Sequence, residues 1–302
     1  MTETSVKKAT MTAALTTEQA KHFVQRGYVR LRNCFDRQLA AQWRKLAFER
    51  LGCDPRDPTS WTQERSHLPK MNLVDMCDFA PKAHAAICQL AGGEEHISGP
   101  VRWGDGFIIN FNVGAQEPWQ PPSAASPGWH KDGDWFRHFL DSPEQGLLTI
   151  VIWSDIEPRS GGTFIAPDSI APVARYLAQF PEGLHPGEVR FDTQIEHCHI
   201  FEEVTGQVGD VFLIHPYMLH AASSNPSGRP RFITNPAVSL VEPMQFSRPD
   251  GNYSLVEQAV LHALEVDELD FVITGNRERI VPERELRQQR MLEEQKQRLG
   301  QS

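Results

Sequence analysis

Two hydrophobic rhythms divide the chain. Over the first hundred residues apolar positions recur at helical spacing, whereas beyond residue 101 they alternate or run together as they do in strands. Thr16 and Gln19 stand at capping-box spacing and predict a helix ending at Gly27, followed by a short strand at residues 28–31. Asp36 caps a second predicted helix carrying Leu39, Trp43, Leu46 and Leu51. Residues 52–72 are polar and proline-containing and are expected to be a loop. Pro81 opens a third helix that runs to Leu90, with Gly92 and Gly93 closing it.

Strands are predicted at residues 107–113, 146–156, 163–166, 188–204, 208–214 and 232–240. Turn residues separate them, notably Arg159-Ser160-Gly161-Gly162, Thr205-Gly206 and the run from Ser224 to Gly228. One helix at about 171–180 interrupts the series, and another is expected from Ser254 to about Leu264. Many short strands punctuated by Gly and Pro favour a sandwich or closed double sheet over a parallel α/β sheet. The fold class is therefore mainly β with flanking helices. We expect residues 1–15 to be disordered and residues 16–265 to form a single domain, with a helical flank at 16–100 and a β core at 101–245. Residues 266–302 form a charged tail, read as a solvated helix held by surface ion pairs.

Composition narrows the function classes. A chain of 302 residues with 40% apolar residues buries a sizeable core, and a net charge of −9 argues against a nucleic-acid surface or a polybasic membrane anchor. The first fifteen residues lack the long apolar run of a signal peptide or membrane span. Five scattered cysteines without a C-x-x-C pair point to a reducing, cytoplasmic compartment. There is no G-x-G-x-x-G and no P-loop signature. A small-molecule substrate is the expected partner.

The chemistry concentrates in Trp129-His130-Lys131-Asp132-Gly133-Asp134-Trp135-Phe136. In an extended chain His130 and Asp132 point to one side and Lys131 to the other. An imidazole and a carboxylate side by side are two corners of a metal site. One more histidine completes the 2-His-1-carboxylate face of non-haem Fe(II), which leaves three positions open. The segment from Gly209 offers two, His215 and His220. Arg231 follows on the next strand, beside Phe232 and Ile233, where a buried guanidinium calls for an anion.

The order of these features, with Thr149 in the buried strand and Ser160-Gly161-Gly162 leading to Ala166-Pro167-Asp168-Ser169, resembles the phytanoyl-CoA dioxygenase-like family. This is a branch of the Fe(II)/2-oxoglutarate-dependent oxygenases. The resemblance spans roughly residues 15–240 and implies a double-stranded β-helix, a cupin-like jelly-roll. It implies His130, Asp132 and His220 as iron ligands, the spacing to Arg231 favouring His220 over His215. Arg231 would pair with the distal carboxylate of 2-oxoglutarate, with Thr149 helping to hold it. Phe136 (or Trp135) would wall the cosubstrate pocket, and Asn110 (or Asn112) would reach the cosubstrate. Ala222 stands where some members carry a serine, so one cosubstrate hydrogen bond is missing or supplied elsewhere.

The activity so implied uses Fe(II), 2-oxoglutarate and O2 to oxidise an unactivated C–H bond with release of succinate and CO2. With Asp132 present as a ligand, halogen transfer is not expected. Two other classes fit the residues less well: a non-catalytic binding module on the same shell, and a cupin-type metal enzyme that needs no 2-oxoglutarate. Intact His130, Asp132 and His220 count against the first, and Arg231 against the second. Trp129, Trp135, Phe136 and Trp153 are candidates for an aromatic substrate pocket, or alternatively for core.

Overall fold

A computed structural model of the protein describes residues 14–300. The segment expected to be disordered therefore lies outside the described residues except for Ala14 and Leu15. Leu15 is buried, with its N–H donated to Gln89 Oε1 at 2.9 Å.

The helical flank forms much as its caps predict. Helix α1 (Thr17–Arg26) has the Thr16/Gln19 capping box and stops at Gly27 in the left-handed region, before β1 (Tyr28–Leu31). Helix α2 (Arg37–Leu51) is capped by Asp36, which accepts from the Gln38 N–H. The region read as loop contains a short strand, β2 (Arg65–His67). Arg65 and His67 face a cavity and the buried residue between them is Ser66, so hydrophobic alternation could not reveal the strand. There follow β3 (Leu73–Asp75), α3 (Met76–Phe79), α4 (Pro81–Ala91), β4 (Arg102–Gly104) and β5 (Ile108–Asn110). The core continues with β6 (Leu147–Ile152), β7 (Phe164–Ala166), α5 (Ile170–Ala178) and β8 (Glu202–Glu203).

The strand expected at 188–204 is absent apart from β8. A 3-10 run, Phe191–His197, takes its place, because the buried residues there are Phe191, Ile195 and Cys198, spaced for a helical turn and not for a strand. The chain closes with β9 (Val211–Ile214), β10 (Leu219–Ala221), β11 (Arg231–Thr234), β12 (Ala237–Val238), α6 (Leu255–Leu264) and α7 (Glu283–Arg298).

All strand pairings among the described residues are antiparallel. A seven-stranded sheet runs β1-β9-β6-β11-β5-β2, with β12 also on β6, and a three-stranded sheet runs β10-β7-β8. Strand β6 is buried along its whole length, and its two faces do different work. Leu148, Ile150 and Ile152 meet Phe212, Ile214 and Ile233 of the same sheet and Ile165 of the small sheet. Leu147, Val151 and Trp153 face the other way, into the core under the helices. There Trp153 stacks on Trp43 at 5.1 Å between ring centroids and on Phe79 at 5.9 Å. Trp153 is thus core, and each such fully buried side chain contributes about 1.5–3 kcal/mol.

Candidate metal centre

His130 is carried into place by the small sheet. Its N–H and C=O exchange two hydrogen bonds with those of His220, both at 3.0 Å, and His220 is in turn paired with Ile165. The two imidazoles lie 4.3 Å apart, and Asp132 Oδ1 stands 3.6 Å from each Nε2. These three residues form a group whose ligand atoms lie within 4.8 Å of one another.

Each ligand atom is aimed by a bond on its far side. His130 Nδ1–H donates to the Gly128 carbonyl at 2.8 Å and His220 Nδ1–H to the Met218 carbonyl at 3.1 Å. Both Nε2 lone pairs are thereby left facing the cluster, the arrangement that fixes a metal-binding tautomer. Asn235 Nδ2 donates to Asp132 Oδ2 at 2.8 Å and leaves Oδ1 to the cluster. Gly133 follows at φ 137°, and a Cβ there would meet His138 Cε1 at 2.4 Å, so the chain turns directly after Asp132 only because a glycine is present. Burial alone would raise the Asp132 carboxyl, but His220 and His130 outweigh it and hold the group well below the usual carboxylate range. Burial likewise opposes the charged form of His130, yet Asp132 raises its pKa on balance. Two imidazole nitrogens and one carboxylate oxygen, each oriented from behind, fit a divalent ion of the Fe(II) type.

Arg231 is buried on β11 of the large sheet, on the same strand face as Ile233, which meets Ile165 of the small sheet. Its Nε donates to the Gly161 carbonyl at 2.7 Å and its Nη1 to the Ile108 carbonyl at 3.1 Å, and it has no carboxylate partner among the described residues. Burial, with Arg65 adding repulsion, pushes its pKa down to about 9. Across the sheet Arg231 is in register with Asn110, and Asn110 with Arg65.

The other predicted residues divide. Asn110 is beside Arg231, but its amide is engaged by the Ser223 carbonyl and the Val113 N–H. Thr149 is not brought to the centre: it shares a face with Leu147 and Val151, and its hydroxyl donates to the Pro236 carbonyl at 2.7 Å. Period-2 alternation puts it on the helix side of β6, opposite Ile150. Phe136 packs against His138 and beneath the Lys131 ammonium, behind the ligands, while Trp135 lines the cavity. Trp129 is buried, donating to the Ser123 carbonyl. His215 is fully buried, its Nδ1 accepting from the Tyr217 N–H and its Nε2 facing the Val256 carbonyl, so it stands outside the cluster. Asp134 is turned away and paired with Arg284. Lys131 bonds the backbone carbonyl of Asp132, not its carboxylate.

Asn235 and Arg65 escaped sequence reasoning. Asn235 had a signal, since 231, 233 and 235 fall on one strand face. The ligands open onto a cavity of about 790 Å³ whose lining includes Ile108, Arg65, Asn235 and Trp135.

The chain belongs to the phytanoyl-CoA dioxygenase (PhyH) family, whose model matches residues 23–233. Among solved structures it is similar to the non-haem alpha ketoglutarate dependent carbocyclase SnoK from nogalamycin biosynthesis, with 16% identity over 79% of this chain and 89% of that one, at a TM-score of 0.45. EctD from S. alaskensis, with 2-oxoglutarate and 5-hydroxyectoine, is 17% identical over 77% and 78% of the two chains, at a TM-score of 0.42. EvdO2 from Micromonospora carbonacea var. aurantiaca, complexed with 2-oxoglutarate, is 14% identical over 79% and 96%, also at 0.42. No curated protein matches the chain. Among the described residues no helix is long and apolar enough to cross a membrane.

Proposed function

We propose that this chain is an Fe(II)- and 2-oxoglutarate-dependent dioxygenase that oxidises a C–H bond of a small organic substrate. The two sheets are read as the halves of a double-stranded β-helix within one domain that also includes α7. One observation carries the reading: a metal-type cluster on the small sheet and a buried arginine without a carboxylate partner on the large sheet stand on the faces that the two sheets turn to each other. His130, Asp132 and His220 would hold the iron. When bound with 2-oxoglutarate and O2, that centre supplies oxidative decarboxylation to succinate and CO2 coupled to C–H oxidation.

The protein's own part is positioning and exclusion of water. The Gly128 and Met218 carbonyls keep the two Nδ1 protons, so both Nε2 atoms stay available. Asn235 holds one carboxylate oxygen of Asp132 and prevents it from swinging. Arg231 takes the distal carboxylate of the cosubstrate in a charge-assisted pair, with Ile108 and Ile233 as dry walls on the way. Five free cysteines support a reducing, cytoplasmic setting.

The test is anaerobic addition of 2-oxoglutarate to the Fe(II) protein. A metal-to-ligand absorption band, followed by succinate formation on admitting O2, is expected. Iron binding without any response to 2-oxoglutarate would overturn the reading.

A further inference from the structure

Helix α7 lies beyond the stretch matched by the family model, yet it walls the cavity above the metal cluster through Arg284, Glu285, Gln288 and Leu292. It is not a solvated tail. At its start Arg284 Nε and Nη2 grip both oxygens of Asp134, at 3.1 and 2.6 Å. Near its end the buried Gln295 Oε1 accepts from the fully buried Arg50 Nε at 2.8 Å, and Arg50 also pairs with the buried Asp105 at 2.9 Å. The helix is fastened at both ends, so its inward side chains are fixed parts of the cavity.

The charges around that cavity do not balance. His67 and Lys70 line it, on and just past β2. Lys70 has no carboxylate partner among the described residues. The Asp134 carboxylate is taken up by Arg284, whose Nη1 carries no bond, and Asp132 is oriented toward the metal cluster. Only Glu285 remains to offset Lys70 and Arg65. These groups feel one another: burial first, then Arg284 and Arg65 against the opposing pull of Asp132 and Asp134, push the His67 pKa down to about 4, and burial and Arg284 lower that of Lys70. Lys70 and Arg65 thus line the cavity without a carboxylate partner among the described residues, and Arg284 keeps one nitrogen free, so an anion bound there is favoured.

We infer that the substrate carries an anionic group, a carboxylate or a phosphate monoester, held between Lys70, His67 and the free edge of Arg284, with its reacting carbon toward His130 and Asp132. That the anion belongs to the substrate and not to a bystander rests on the oxygenase reading above. The cavity volume suits a compact organic acid or phosphate ester.

The experiment titrates hexanoate, hexyl phosphate, hexanol and hexylammonium into the full chain by calorimetry, with Zn(II) and saturating 2-oxoglutarate present so that Arg231 is occupied. At least one anionic probe should bind about tenfold or more tightly than hexanol and hexylammonium, and the stronger of the two names the group. Lys70→Gln and Arg284→Gln should each remove most of that preference while leaving 2-oxoglutarate affinity at its wild-type value. Arg284→Gln also loosens α7, so Lys70→Gln, at a lining residue outside that helix, is the decisive variant. Equal binding of hexanol and both anions, or a preference that survives Lys70→Gln, overturns the inference. Failure of 2-oxoglutarate itself to bind overturns the oxygenase reading, and the four probes then still decide the anion site.

Discussion

Replacing Arg231 by glutamine should separate the cost of burying a charge from the benefit of using it. In the metal-free protein the guanidinium is 3% exposed and has no carboxylate partner among the described residues. The fall of its pKa from the ordinary guanidinium value to about 9 corresponds to an upper bound of about 5 kcal/mol for holding that charge in the dry interior. Against this stand two charged-donor hydrogen bonds, to the Gly161 and Ile108 carbonyls, at about 1.5–3 kcal/mol each. The terms nearly cancel, so Arg231→Gln should change metal-free stability by less than about 2 kcal/mol. With a dicarboxylate bound the balance shifts, because the charge then has its counter-ion, and removing one partner of a buried pair costs about 3–5 kcal/mol. The variant should therefore bind 2-oxoglutarate roughly 10²- to 10³-fold more weakly, with Fe(II) affinity close to wild type. Arg231→Lys should recover only part of the loss, since the planar fork is gone. Chemical denaturation of the metal-free protein and anaerobic titration of 2-oxoglutarate read the two quantities separately. Equal 2-oxoglutarate affinities would refute the assignment. A stability loss above about 4 kcal/mol would instead make Arg231 a structural cation. Arg229 offers no substitute, being on the surface and paired with Glu157.

Four further outcomes follow from the same geometry. Asp132→Gly should lose most Fe(II) affinity and succinate formation, whereas Asp134→Asn should keep metal binding and only release Arg284, as anaerobic iron titration of both will tell. Asn235→Ala frees one carboxylate oxygen and should weaken metal binding about 10- to 100-fold with little loss of fold stability; an unchanged affinity would mean that Asp132 needs no support. The buried His215 is held neutral, its pKa lowered by burial to about 3. The unfolded chain then binds more protons below about pH 6.5, so stability should fall toward pH 3 by up to about 1.4 kcal/mol per pH unit, and His215→Gln should flatten that slope in denaturation curves at pH 7, 5.5 and 4. Gln295→Leu leaves Arg50 Nε without its acceptor and should expose α7 to limited proteolysis while the rest of the domain stays resistant.

What could be read from the sequence was whatever a local period or a short motif carries. The Thr16 and Asp36 caps, Pro81 at a helix start and the continuous apolar run of β6 are local properties, and each produced its element. His130 and Asp132 were legible for the same reason, being two residues apart on one face. Strand β2 and the false strand at 188–204 mark the limit. In the first, polar residues face inward because they line a site; in the second, buried residues at turn spacing mimic a strand run. Thr149 shows a different failure. Its residue type suited a cosubstrate ligand, yet the two-residue period of any strand turns Thr149 to the side opposite Ile150, away from the face that meets the small sheet.

Position in three dimensions decided the rest. Spacing to Arg231 favours His220 over His215, and the structure supplies the physical reason: His215 sits at the end of β9, where its ring is used up by Tyr217 and Val256, while His220 pairs directly with His130. Helix α7 makes the same point on a larger scale. Its charge-rich sequence reads as solvated, and most of its surface is. Arg284 with Asp134, Gln295 and Arg298 with Arg50, Met291 on the core and the row of residues turned to the cavity convert it from a tail into a wall. The residues that would hold the iron and the arginine that would hold the cosubstrate lie inside the family-matched stretch, whereas one wall of the proposed substrate cavity lies outside it. A chain that keeps the first and changes the second would keep its oxidant and change what is oxidised, so the specificity of this protein should be sought at Lys70, His67 and α7 before the metal centre.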